Sequence, residues 1–243
     1  MNLEIYSSIL KAKKVGRKQF AVLIDPDKLP TVEAIATAEA AGVDYFLIGG
    51  SLLTNGNLNN CIEFVKKSSQ IPVILFPGNI YQIDSSADAI LLLSLISGRN
   101  PEMLIGKHVI AAPALKASHL EVISTGYMLI ESGSQTTVSY MSNTMPIPAD
   151  KEDIAMCTAM AGEMLGLKMI YMDAGSGAKN CISAAMIKKV SSNISIPLIV
   201  GGGINSAAGV RSAYEAGADI VVVGTALEKD FSLVTKIAKV FQN

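Results

Sequence analysis

Two apolar runs near the C-terminus end in glycine. Ile196-Pro197-Leu198-Ile199-Val200 passes into Gly201-Gly202-Gly203-Ile204, and Ile220-Val221-Val222-Val223 passes into Gly224-Thr225-Ala226. Each is followed by a helical pattern, which describes a buried parallel strand whose end leaves backbone N–H groups bare. Two such ends in succession, roughly twenty residues apart, match the last two strands of a (β/α)8 barrel that holds a phosphate. Glycine lets the main chain approach an anion and adopt dihedrals closed to other residues. Ordinary turns at helix starts are the bland alternative, since a Gly-Gly pair alone says little.

Size and composition fit that frame. The chain has 243 residues, close to the roughly 250 of one such barrel. Half of it is hydrophobic and the mean hydropathy is +0.40, as expected when strands are apolar on both faces. No apolar stretch approaches the roughly 18 residues of a spanning helix. Met1–Arg17 carries charges throughout and lacks a signal-peptide apolar region, so a cytoplasmic protein is expected. Lys+Arg number 20 against Asp+Glu 21, a net charge of −1, which leaves no basic stripe for nucleic acid. Cys61, Cys157 and Cys181 have no metal or disulfide spacing and read as buried small apolar groups. His108 and His119 are the only histidines, so histidine-dependent chemistry is not expected.

Strand-like and helix-like segments alternate from end to end, which calls for an α/β chain with a parallel sheet. Helices are expected over Leu3–Val15, Thr31–Ala41, Asn57–Ser68, Lys151–Leu165, Ser183–Ser191, Ser206–Ala216 and Ser232–Phe241. Strands are expected over Phe20–Ile24, Tyr45–Ile48, Val73–Phe76, Ala89–Leu93, Tyr127–Glu131, Met169–Met172, Ile196–Val200 and Ile220–Val223. Only Ile80–Ala87 remains between the third and fourth strands, so a loop is expected where a barrel normally puts its third helix. Pro101 opens a helix-like segment towards Gly106, and alternation over Thr136–Met141 suggests a strand-like flap. An Ala-Gly-x-Asp turn leading through four apolar residues to glycine occurs at 41–49 and again at 216–224, which supports those two strands. The expected fold is a single (β/α)8 TIM barrel over residues 1–243, modified at the third helix.

In such a barrel the active site lies at the C-terminal ends of the strands. Asp25, Asp27 and Lys28 follow the first strand, and Ser51 follows the second. Tyr171, Asp173 and Ser176 gather at the sixth, with Gly202, Gly203, Gly224 and Thr225 at the last two. Asp25 ends a wholly apolar strand, where an unpaired carboxylate is costly; a turn or cap ahead of Thr31 is the alternative. Barrel closure sets Asp25 and Ser51 on neighbouring strand ends. A carboxylate and a hydroxyl beside phosphate oxygens make a hard-oxygen set suited to Mg²⁺. Ser51 equally suits a turn, Asp27 reads as a cap, and Lys28 either reaches a second phosphate or is solvated. Tyr171 and Asp173 are two apart and share a side, with Met172 facing the opposite way. A phenol and a carboxylate at the barrel mouth suit hydroxyl recognition and proton removal.

Together these residues resemble the geranylgeranylglyceryl phosphate synthase family and its bacterial relatives that use other prenyl lengths. The resemblance runs in order along the chain. It is carried by Ile24-Asp25-Pro26-Asp27-Lys28, Gly49-Gly50-Ser51, Phe76-Pro77-Gly78, Gly126-Tyr127 leading to Ile130-Glu131, and Pro146-Ile147-Pro148. Tyr171-Met172-Asp173-Ala174-Gly175-Ser176-Gly177 is its most specific part, followed by Gly201-Gly202-Gly203-Ile204 and Gly224-Thr225. It implies transfer of a polyprenyl group, geranylgeranyl by the family name, from its diphosphate to the primary hydroxyl of sn-glycerol 1-phosphate, giving an ether-lipid precursor. It further implies Mg²⁺ held by Asp25 and Ser51, and glycerol phosphate contacted by the segment Tyr171, Met172, Asp173, Ala174, Gly175, Ser176 and Gly177. The phosphate falls to Gly202, Gly203, Gly224 and Thr225; the residues themselves, a phenol and a carboxylate on one side of the strand, make Tyr171 and Asp173 the expected catalytic pair. Asp173 stands where many members have Glu, one methylene longer, so base and hydroxyl positioner are both open to it.

An apolar trough for the prenyl tail is expected over the ends of strands three to five, with Phe76, Pro77, Leu93 and Leu95 as surface. Core packing accounts for those side chains equally well. With only 17% charged residues a homo-oligomer is expected, meeting membrane at most peripherally, through its lipid product. The rival readings are a sugar-phosphate isomerase, a thiamin phosphate synthase-like enzyme, or a non-catalytic phospholigand-binding barrel. An isomerase would want a second carboxylate paired with Asp173, and a binding barrel has no need of Asp25 beside Ser51.

Overall fold

The computed structural model describes residues 4–240, so the helix ends expected at Leu3 and Phe241 lie outside the described residues. Eight strands pair in parallel and in chain order around a closed barrel. They are β1 (Gln19–Ile24), β2 (Tyr45–Ile48), β3 (Val73–Leu75), β4 (Ala89–Leu95), β5 (Glu121–Leu129), β6 (Met169–Asp173), β7 (Leu198–Gly201) and β8 (Ile220–Val223). Gln19 opposite Ile220 closes the ring between β1 and β8. Alternate side chains serve two cores. Ala21, Tyr45, Leu47, Leu91, Tyr127, Met169, Tyr171 and Val222 fill the barrel. Phe20, Val22, Phe46, Met128, Ile170, Met172, Val200 and Val221 meet the surrounding helices. Burial on both faces is why these strands read as unbroken apolar runs.

Helix α1 (Glu4–Lys14) seals the N-terminal end of the barrel, with Ile5 and Ile9 joining the interior cluster. Glu121, at the start of β5, accepts the backbone N–H groups of Ile5 and Tyr6 at 2.8 and 3.0 Å. A carboxylate there satisfies donors that the first turn of a helix leaves bare. The ring of helices is α2 (Val32–Ala40), α3 (Leu58–Ser68), α4 (Lys107–Ser118), α5 (Thr137–Ser142), α6 (Glu152–Met164), α7 (Ala184–Ser191), α8 (Ala207–Glu215), α9 (Thr225–Lys229) and α10 (Leu233–Ala238). Thr31, Asn57, Ser183 and Ser206 cap α2, α3, α7 and α8 by accepting an N–H of the first turn. Among the described residues, no helix is long and apolar enough to cross a membrane.

No helix joins β3 to β4, as expected. Gln82 braces that segment instead: its Oε1 accepts from Gly78 N–H at 3.1 Å and its Nε2 donates to the Gly50 carbonyl at 2.9 Å. Gly49 lets β2 and β3 close up, since a Cβ there would strike the Phe76 carbonyl.

Several expectations need correction. The flap is α5, because Thr136 and Ser139 form a reciprocal capping box that turns an alternating stretch into a helix. β5 runs Glu121–Leu129 rather than Tyr127–Glu131; Ile130 makes only an isolated bridge to Ile147. The helix-like segment expected after Pro101 is present as a π-helical turn, Glu102–Gly106, and it continues into α4, with Pro113 inside the helix. α9, directly after Gly224, was not anticipated. Cys61 is buried as expected, but Cys157 and Cys181 are exposed.

Candidate active site

The C-terminal rim opens into a cleft of about 720 Å³ that joins the ends of the strands. On the β6 side, Asp173 is 7% exposed at the last position of its strand. Its Oδ2 accepts the Tyr127 hydroxyl at 2.6 Å and its Oδ1 accepts Gly175 N–H at 2.7 Å. Burial pushes this carboxyl above the ordinary carboxylate range, while the bonds from Tyr127 and Gly175 pull it back part of the way. The same burial, with Asp173 alongside, raises Tyr127 and Tyr171 well above an ordinary phenol, so both stay protonated.

Phe76, Tyr127 and Tyr171 form an aromatic floor beside this carboxylate. Phe76 stacks on Tyr171 at 5.1 Å between ring centroids, and Tyr127 meets Tyr171 edge-on at 5.6 Å. From this floor an apolar wall runs across the β3–β5 ends through Pro77, Ile83, Leu92, Leu93 and Leu95, and continues to Met103 and Val138. The four side chains expected for the trough all line the cleft. His108 interrupts the wall: its Nε2 lies 3.1 Å from Ser94 Oγ, and burial lowers its pKa.

Across the barrel, glycines and hydroxyls make a concave cup. Gly202 and Gly203 turn at φ +80° and +70°, and with Gly224, Thr225, Ser176 and Gly177 they line the cleft. Ser176 Oγ lies 3.3 Å from Thr225 Oγ1, which joins the β6 loop to the start of α9. A Cβ on Gly202 would sit 2.5 Å from Asp173 Oδ1 and 2.6 Å from the nitrogens of Ala174 and Gly175. Only glycine lets cup and carboxylate adjoin.

Asp25 is half-buried at the end of β1, and Ser51 stands on the neighbouring β2 rim in the same cleft. Asp25 Oδ1 accepts Asp27 N–H at 3.0 Å, whereas Oδ2 faces Lys28 Nζ at 3.6 Å. Asp27 anchors the loop after Ser51. It accepts N–H bonds from Thr54 at 2.8 Å, from Asn55 at 3.0 Å and from Gly56, and these hold its carboxyl down at about 2.

The structure therefore brings together Asp25, Ser51, Tyr171, Asp173, Gly175, Ser176, Gly177, Gly202, Gly203, Gly224 and Thr225 around one cleft. It does not bring in the side chains of Met172 and Ala174, which are buried against the helix layer and leave only their backbone near the site. Sequence reasoning missed Tyr127 as the partner of Asp173, and Glu228 as the partner of Lys28. The parity of β5 carried the first signal, because Tyr127 lies opposite Tyr171, and Leu129 opposite Asp173.

Fold and rim together define a (β/α)8 barrel whose C-terminal rim carries a glycine-lined cup with an acidic group on either side. Residues 13–241 match the PcrB family, and the chain belongs to it. The geranylgeranylglyceryl phosphate synthase of Chitinophaga pinensis is 56% identical over 241 residues, covering 98% of this chain and 96% of the relative. That of Spirosoma linguale is 55% identical over 238 residues, covering 96% and 95%. Among solved structures, (S)-3-O-geranylgeranylglyceryl phosphate synthase from Thermoplasma acidophilum, in complex with its substrate sn-glycerol-1-phosphate, superposes with a TM-score of 0.89. It is 30% identical and covers 98% of both chains.

Proposed function

We propose that this protein joins a polyprenyl diphosphate to the primary hydroxyl of sn-glycerol 1-phosphate, releasing diphosphate and forming an ether-lipid precursor. The observation that carries this reading is the setting of Asp173. One buried carboxylate touches the glycine cup on one side and the aromatic floor of an apolar trough on the other. A small phosphorylated alcohol and a long hydrocarbon thus meet at one proton acceptor. Near-complete coverage of relatives that bear the synthase name, and of a solved synthase with glycerol phosphate bound, supports it.

The cup would take the phosphate through the backbone of Gly202, Gly203 and Gly224, with the hydroxyls of Ser176 and Thr225 alongside. The glycerol hydroxyl would then reach Asp173, whose raised pKa suits it to accept a proton as the carbon–oxygen bond forms. Tyr127 holds the carboxylate in place for that transfer. The faces of Phe76, Tyr127 and Tyr171 favour the positive charge that develops on the allylic carbon as its diphosphate departs. The trough keeps the tail out of water.

Asp25 and Ser51 fit magnesium. Among the described residues no three His, Cys, Asp or Glu gather as a self-sufficient metal cluster. One carboxylate and one hydroxyl instead suit an ion that completes its shell from water and substrate phosphates. When bound, that ion offsets the charge developing on the leaving diphosphate.

Incubation with labelled sn-glycerol 1-phosphate, magnesium and a panel of prenyl diphosphates tests the reading. Label that partitions into organic solvent only when both substrates are present supports it. Absence of such product across the panel removes it in favour of an isomerase or a binding barrel.

A further inference from the structure

We propose that Glu228 is a positioning residue for the magnesium site: it draws Lys28 towards itself, so that the ammonium holds Asp25 only loosely and yields that carboxylate oxygen to the cation. The inference rests on the prenyl-transfer reading above, in which Asp25 holds magnesium.

Asp25 has one oxygen hydrogen-bonded and one held only in a long ion pair with Lys28. Oδ1 already accepts the Asp27 N–H at 3.0 Å, so Oδ2 is the oxygen left for a metal. Lys28 is tied next to it, because its own N–H donates to the Asp25 carbonyl at 2.8 Å in the turn that ends β1. An ammonium on a four-carbon stem at that position would close onto Oδ2 unless another anion held it. Glu228 is that anion. Its Oε2 accepts Lys28 Nζ at 2.9 Å, while Lys28 keeps only a longer ion pair of 3.6 Å with Asp25 Oδ2, so the ammonium bridges the two carboxylates and sits closer to Glu228.

Glu228 sits on α9, directly after β8, and β8 is the strand beside β1. Lys28, Glu228 and Asp25 all face the same cleft. Without Glu228, Lys28 and magnesium would compete for one oxygen, since two cations cannot both sit against it without repulsion. With Glu228, the ammonium has a seat of its own, still at the rim where a diphosphate would lie. It can balance phosphate charge there without occupying the metal's ligand. No role of this kind was expected for Glu228 from the sequence, because the pairing joins residues at opposite ends of the chain.

The test compares wild type, Glu228→Gln and the double variant Lys28→Ala/Glu228→Gln. The quantity read is the magnesium concentration at half-saturation, measured calorimetrically with inorganic diphosphate held saturating. Glu228→Gln is expected to need about three- to fivefold more magnesium, the size of an exposed ion-pair effect. Its affinity for sn-glycerol 1-phosphate and its melting temperature should match wild type. Removing Lys28 as well should restore the magnesium midpoint, a rescue that a merely structural Glu228 would not show. An unchanged midpoint in Glu228→Gln, or no recovery in the double variant, overturns the inference. If wild type itself shows no magnesium-dependent diphosphate binding, the prenyl-transfer reading fails instead.

Discussion

The Tyr127 hydroxyl and the Asp173 carboxylate, on adjacent strands β5 and β6, meet at 2.6 Å where both are buried at the floor of the cleft. The bond does two things to Asp173. It fixes the direction of Oδ2, and it offsets part of the cost of keeping a charge buried.

Tyr127→Phe removes that bond and leaves the ring. The Asp173 pKa should then rise further, because burial is less opposed. The acid limb of the kcat/KM profile, where Asp173 becomes protonated and can no longer accept a proton, should move to higher pH. Turnover should fall about tenfold or more, the worth of a hydrogen bond to a charged group. An acid limb that stays in place would separate the two residues functionally.

Asp173→Asn should abolish turnover and stabilise the fold. A carboxyl whose pKa is raised on folding favours the folded state below its unfolded pKa, and that contribution is lost as pH rises through the folded value. At neutral pH wild type carries this burden, which a neutral amide relieves. Differential scanning calorimetry at neutral pH should therefore show a higher melting temperature than wild type. The gain should shrink as the pH is lowered and Asp173 itself becomes neutral.

Gly202→Ala should damage cup and carboxylate together. The backbone there has φ +80°, and the added Cβ would fall 2.5 Å from Asp173 Oδ1. Strain of about 1–3 kcal/mol is expected, with a raised KM for glycerol 1-phosphate. Steady-state kinetics beside a melting curve would show both effects.

Where the strands are apolar on both faces, the fold was legible: β2 and β8 have the expected limits, and the others apart from β5 are close. The glycine-lined rim at β7 and β8 was legible because two glycine-ended strands follow one another at the right spacing. The start of β5 was not, since Glu121, Ser124 and Thr125 interrupt the apolar run, yet Glu121 is buried there capping α1. α5 was hidden because its capping box uses Ser139 where Glu or Gln is the recognisable signal. The Tyr127–Asp173 and Lys28–Glu228 pairs depend on register and loop geometry. Those are tertiary facts that a local pattern does not carry.

Asp27→Ala should loosen the loop after Ser51. The carboxylate accepts N–H groups from Thr54, Asn55 and Gly56, and its pKa near 2 means the clamp holds down to strongly acidic pH. That contribution is present above the unfolded carboxylate value and is lost as pH falls towards 2. The variant should need more magnesium for half-maximal rate, with little change in glycerol 1-phosphate KM, because the loop adjoins Ser51 and not the cup. Magnesium titration at saturating substrates checks this.

The most direct test is a crystal structure with sn-glycerol 1-phosphate and a non-hydrolysable prenyl diphosphate analogue bound together. The phosphate should lie against Gly202, Gly203, Gly224 and Thr225, with the primary hydroxyl within hydrogen-bonding distance of Asp173 and the prenyl chain across the β3–β5 ends. Glycerol phosphate bound away from this cup, or its hydroxyl turned from Asp173, would contradict the account.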